Sequence, residues 1–298
     1  MGVFLAFCSA FSYSATTIAM KKGNMRNRTG EDGYLITLVI NVVFLSLMVA
    51  VWSLFRPEIW MSFRYSSVFY FFLGGFFTTG IGRFIFYIAI EKMGPSRATA
   101  LKTTTPLWTV VFSFLLLQEA VTLVPGMGML LIALAVGWQA YTIYFRGEGE
   151  AVVLRRSGYY FGLGSAVSLG LGVIMRKFGL LEWNQPLIGA WVGCLTAWIV
   201  YTLVQKVRSN QWDWGLGLRR HGNLSYLVAG VFSALGPLCF FLAMNYTKVS
   251  YIAMIAAAES VITTLLSALL LKAQEELNGG VWFSAVLVFA GGILIAFE

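Results

Sequence analysis

Charged residues in this chain are confined to short clusters, and between the clusters lie apolar runs of about twenty residues. At ~1.5 Å per residue, such a run forms an α-helix of ~30 Å, the thickness of a bilayer's hydrocarbon core. The breaks divide the 298 residues into ten runs, at roughly 2–20, 34–55, 66–90, 97–117, 123–143, 157–176, 185–205, 223–246, 250–271 and 278–297. Nothing sizeable remains for a soluble domain. No long period-2 alternation appears, so the runs are helices rather than barrel strands. The expected fold is an all-α integral membrane protein with ten transmembrane helices, and the lipid bilayer is its first partner.

Composition excludes the other classes. Hydrophobic residues make up 58% and charged residues 11% of the chain, against roughly 25% charged in a soluble domain. The net charge of +8 is not a nucleic-acid footprint, because Lys and Arg sit in loop clusters. Cys8, Cys194 and Cys239 all lie in apolar runs, and His221 is the single histidine. A disulfide framework, a Cys/His metal site and a histidine triad are therefore not expected. Nor is any cofactor. The first run lacks a basic leader and reads as a retained helix. Trp52, Trp60, Trp183, Trp212 and Trp214 fall near run ends, as interfacial anchors do. Gly158, Gly162, Gly164, Gly170 and Gly172 make the sixth run smooth, which predicts a central, closely packed helix.

The two halves repeat. Met20-Lys21-Lys22 ends the first run and Met175-Arg176-Lys177 the sixth, at an offset of 155. Runs three and four match eight and nine at an offset of 154, with identities Gly82/Gly236, Phe86/Phe240, Ala89/Ala243, Ser96/Ser250, Thr109/Thr263, Ser113/Ser267 and Leu115-Leu116-Leu117/Leu269-Leu270-Leu271. Five runs per half is an odd number, so the second half enters the membrane in the opposite sense. Inverted five-helix repeats are a transporter architecture, with the substrate site near the midplane between halves.

On these residues the chain resembles drug/metabolite transporters of the EamA type, with one EamA repeat at 1–145 and a second at 156–298. The family's fourth span often carries small residues, a Pro and a terminal Glu; here these are Thr103-Thr104-Thr105-Pro106 and Leu117-Gln118-Glu119. Its ninth span often has Glu-Pro; here it is Glu259-Ser260, with the Glu kept and the Pro lost. The second repeat's terminal Glu has no clean counterpart, since Ala273 stands there and Glu275 and Glu276 follow. The resemblance implies a secondary-active transporter, an exporter or exchanger of a small polar or amphipathic metabolite such as an amino acid. It implies a pathway lined by spans 1, 3, 4, 6, 8 and 9, and a location in a bacterial inner membrane. The alternative is an integral-membrane enzyme or enzyme partner, but the chain has no Asp-rich metal motif, Gly-x-Ser-x-Gly elbow or P-loop.

Three ionisable residues lie inside apolar runs: Arg83, Lys102 and Glu259. Each costs on the order of 2.5–3.5 kcal/mol at a helix centre, so each should face protein or a water-filled cavity. Two readings stand side by side. In one, a cation pairs with Glu259 to hold helices together. In the other, a cation holds a substrate carboxylate or phosphate, and Glu259 holds an amine or carries a coupling proton. Ser12, Tyr13, Thr105 and Asn245 complete the candidate pathway. Lys and Arg are concentrated in the loops after runs 1, 3, 5, 7 and 9, which places those loops in the cytoplasm; the family resemblance implies instead that both termini are inside.

Overall fold

The computed structural model describes residues 1–27, 31–93, 95–146, 157–209, 224–271 and 279–297. Trp212, Trp214, His221, Ala273, Glu275 and Glu276 lie outside them. The described residues are helical, with no strand among them. In order, the helices are α1 (Gly2–Asn27), α2 (Glu31–Phe55), α3 (Tyr65–Gly75), a π-helical segment (Phe76–Gly82), α4 (Arg83–Met93), α5 (Pro95–Lys102), α6 (Thr105–Leu117) and α7 (Leu123–Arg146). The second half follows with α8 (Ser157–Glu182), α9 (Pro186–Ser209), α10 (Leu224–Ala243), α11 (Val249–Ala256), α12 (Glu259–Leu271) and α13 (Gly279–Ala296). A 3-10 helix, Pro57–Ser62, precedes α3.

Among the described residues, seven segments are long and apolar enough to cross a membrane, from Gly2–Gly23 to Val249–Ser267. Thr105–Leu117, Leu123–Trp138 and Trp282–Ala296 are shorter apolar helices. Large apolar side chains are exposed along these segments, including Leu47, Val51, Phe114, Leu115, Val286, Phe289 and Ile293. In water so much apolar surface is a liability; against acyl chains it is the expected outer face.

Helix bounds recur between the halves. α1 and α8 begin and end 155 positions apart, and α5–α6 and α11–α12 begin and end 154 apart. Packing is reciprocal: α1 lies against α10, and α8 lies against α3, the π segment and α4. The repeat pair Gly82/Gly236 makes the same contact in each half. Ser165 on α8 donates to the Gly82 carbonyl at 2.8 Å, and Ser9 on α1 donates to the Gly236 carbonyl at 2.8 Å.

α8 is central, as its glycines predict, and packs against α3 to α6. A Cβ on Gly172 would sit 2.7 Å from the Thr78 methyl and 2.9 Å from the Gly74 carbonyl. Only a bare backbone allows that approach.

Two expected boundaries move. The first run was expected to end at Met20 and the sixth at Arg176, yet α1 continues to Asn27 and α8 to Glu182. Basic residues end an apolar run without ending a helix, because Lys and Arg are good helix formers. The run 66–90 carries a π segment, and the runs 97–117 and 250–271 each comprise two helices with a break between them.

Candidate functional site: a charged interior built by both halves

The π segment organises the site. Its sequence Phe-Phe-Thr-Thr-Gly-Ile-Gly has two glycines and three β-branched residues, which weaken an ordinary α-helix. The Thr78 hydroxyl donates to the carbonyls of Gly74 at 2.8 Å and Gly75 at 3.2 Å. α8 supplies donors for two more carbonyls, Ser168 to Phe77 at 2.8 Å and Ser165 to Gly82 at 2.8 Å. The wider turn is thus held by hydroxyls, and Gly82 is required in it: a Cβ there would meet the Phe77 carbonyl at 2.6 Å. π segments within helices occur frequently at functional sites.

Arg83 follows the π segment directly. Its guanidinium lies 4.4 Å from the centre of the Tyr34 ring, and its Nη1 is buried with no hydrogen-bond partner. Arg176 enters from α8 on the other side. Its Nη2 donates to the Thr78 hydroxyl at 2.9 Å, its guanidinium lies 5.6 Å from the Phe241 ring centre, and its Nε is buried without a partner. Tyr13 on α1 stands within electrostatic reach of Arg176, Glu259 and Arg83. The Tyr13 ring fits beside Gly236, where a Cβ would come within 3.1 Å of it.

Lys102 closes α5, with its ammonium 5.1 Å from the Phe86 ring centre. It is within electrostatic reach of Arg83 and Glu259, yet no direct ion pair joins these groups among the described residues. The Lys102 side chain keeps an exposed surface at the end of α5. Glu259 opens α12, and its carbonyl accepts from the Ser14 hydroxyl at 3.0 Å.

Of the residues singled out from sequence, Tyr13, Arg83, Lys102 and Glu259 therefore share one interior region. Thr105 is at the α5–α6 break, where its hydroxyl donates to the Lys102 carbonyl at 2.7 Å. Ser12 is buried and bonds within its own helix, to the Cys8 carbonyl at 2.7 Å. Asn245 is exposed elsewhere, on an open cavity of about 360 Å³ that Glu119, Lys177, Tyr246 and Lys248 also line. None of Tyr13, Arg83, Lys102 and Glu259 lines that cavity.

Sequence reasoning assigned Arg176 to a loop-facing helix end and missed its interior position. Phe178, Leu180 and Leu181 show that the helix continues past Lys177, without showing where the Arg176 side chain lies. The role of Glu119 was also unread. α6 ends at Gln118 in a left-handed conformation with φ 54°. The Glu119 carboxylate then accepts from the Val249 N–H at 3.0 Å, the Ser250 N–H at 3.2 Å and the Ser250 hydroxyl at 3.1 Å, and from the Ser113 hydroxyl. It caps the N-terminus of α11 and ties α6 to it. 

Apolar helices that carry lipid-length spans and enclose charged side chains define an integral, multi-pass membrane protein. Residues 1–139 and 156–297 match the EamA-like transporter family, and the chain belongs to that family of drug/metabolite membrane transporters. A protein of known crystal structure shares the fold, with a TM-score of 0.74 at 16% identity over 99% of this chain and 96% of its own. No match was found among curated protein sequences.

Proposed function

We propose that the protein is a secondary-active exporter or exchanger of a small polar or amphipathic metabolite, such as an amino acid. It works by alternating access in a bacterial inner membrane. Its ten spans form two inverted five-helix repeats, 1–145 and 156–298, and the halves rock about the interior group. One observation carries the reading: charged side chains from both halves, Arg83 and Lys102 from the first and Arg176 and Glu259 from the second, approach one another inside the apolar bundle. Such groups are costly in a membrane and mark solute or proton pathways. The reciprocal packing and constant offsets support the repeat. Glu259 is the proton carrier, and Arg83, Lys102, Thr105 and Tyr13 contact the solute.

Reconstitution into liposomes tests this. A panel of labelled metabolites should include one that accumulates under an imposed gradient, and counterflow should show exchange. Transport of nothing, by protein that is monodisperse and correctly inserted, overturns the reading.

A further inference from the structure

Two arginines flank the π segment, and each presents a buried N–H group that no protein atom accepts. Arg176 reaches the segment at Thr78, and Arg83 leaves it at the other end. Arg176 Nε and Arg83 Nη1 are the unpartnered donors. A buried donor left unpaired is costly, and a guanidinium more so than a neutral amide. Lys102 adds a third cation beside Arg83, and the one carboxylate in this set, Glu259, makes no ion pair with any of them. The group thus carries three cations against one anion. Aromatic faces of Tyr34 and Phe241 hold the guanidinium planes without neutralising them. Thr78 and Arg83 are five positions apart, roughly 7–8 Å at ~1.5 Å per residue. The Tyr13 hydroxyl lies within electrostatic reach of both arginines.

We propose that Arg83 and Arg176 form a two-point clamp for a solute with two separated carboxylates, a short dicarboxylate. This rests on the reading of the interior group as the solute pathway, and it narrows the substrate class from amphipathic metabolites to diacids. Each arginine fork takes one carboxylate, because a planar guanidinium matches a carboxylate with two parallel hydrogen bonds. Tyr13 donates to the solute between them. Three cations against one carboxylate leave two excess positive charges, which meet the two negative charges of the diacid. The π segment fixes the spacing of the clamp, since it sets the distance from Thr78 to Arg83.

Calorimetric binding to the purified full chain in detergent tests the clamp without requiring transport. The probes are succinate, its half-amide succinamate and the neutral succinamide. Succinate should bind at least tenfold more tightly than succinamate, and succinamide should not bind. Arg83→Gln and Arg176→Gln should each bring succinate down to the affinity that the unaltered protein shows for succinamate. Arg→Lys at either position should recover only part, because an ammonium keeps the charge and loses the fork. If succinate binds no better than succinamide to the unaltered protein, the clamp is wrong, and this needs no variant to fold. If both Gln variants elute as folded protein and bind succinate normally, the clamp is also wrong. Liposome transport separates the two readings. Transport of a monoacid or amine with no succinate binding overturns the clamp and leaves the transporter standing. Succinate binding with no transport of any solute supports the clamp and removes the transporter.

Discussion

α5 and α6 contain eight and thirteen residues, and α11 and α12 contain the same numbers. The breaks fall at Thr103–Thr104 and Ala257–Ala258, 154 positions apart. They are made differently. In the first, the hydroxyls of Thr104 and Thr105 donate to the carbonyls of Leu101 and Lys102, each at 2.7 Å, and Pro106 sits in the first turn of α6. In the second there is no proline. The Ala257 N–H is shared between the Ala253 and Met254 carbonyls at 3.2 Å each, and the Ala258 N–H takes Ile255 at 2.9 Å, which tightens the last turn. Two local chemistries give one backbone shape, so packing against neighbouring helices holds the break. The charges differ as well. Lys102 sits at the C-terminal end of α5 and Glu259 at the N-terminal end of α12, and each complements the helix dipole where it stands. The backbone is repeated; the chemistry on it is not.

That contrast can be broken or sharpened in four ways. Glu259→Gln removes the carboxyl from the second break, where the first half has Thr105. Proton-driven transport should be lost completely while solute exchange persists, measured as pH-gradient uptake beside counterflow in the same liposomes. Unchanged proton dependence would remove Glu259 from coupling. Lys102→Ala strips the charge from the first break. It should weaken acids by about tenfold or more, the loss of a charge-assisted hydrogen bond of ~1.5–3 kcal/mol, and spare matched amines. Equal losses for acids and amines in a binding series would make Lys102 a structural element. Glu119→Ala removes the cap that joins α6 to α11 and leaves the Val249 and Ser250 donors without their acceptor. Stability should fall by on the order of 2 kcal/mol, read as a lower Tm in detergent; an unaltered Tm would show that water replaces the carboxylate. Pro106→Ala should cost less than ~1 kcal/mol, because the second break forms without proline. A large loss of stability on this change would show that the first break, unlike the second, depends on its local sequence.

Much of this was legible in the chain. Apolar run length gives spans because a bilayer sets one length scale, and Gly172 announces close packing because no other residue lets α8 approach Gly74. Arg83, Lys102 and Glu259 stand out because charge is rare in apolar runs. Three features were not legible. Arg176 lies next to Lys177 in a basic pair and looks like a helix end; its interior position depends on a hydroxyl of α3's continuation, Thr78, nearly a hundred residues away. The π segment has no periodicity of its own and needs α8's serines to hold it. Ser12 and Ser14 are both polar and one turn-half apart, yet Ser12 bonds within α1 while Ser14 also reaches Glu259, a difference of helix face that only packing decides.

At 26 residues each, α1 and α8 are ~39 Å long, while the hydrocarbon core is ~30 Å thick. α10, with 20 residues, matches that thickness without excess. Both helices outreach the hydrocarbon with turns that carry basic residues, and the inclination of a spanning helix changes when the acyl chains lengthen. α1 carries Tyr13 and α8 carries Arg176, so a change in their inclination displaces both side chains relative to Arg83. Acyl-chain length is therefore a control variable for the interior group, and liposomes made from lipids of graded chain length should give graded affinities rather than a single value.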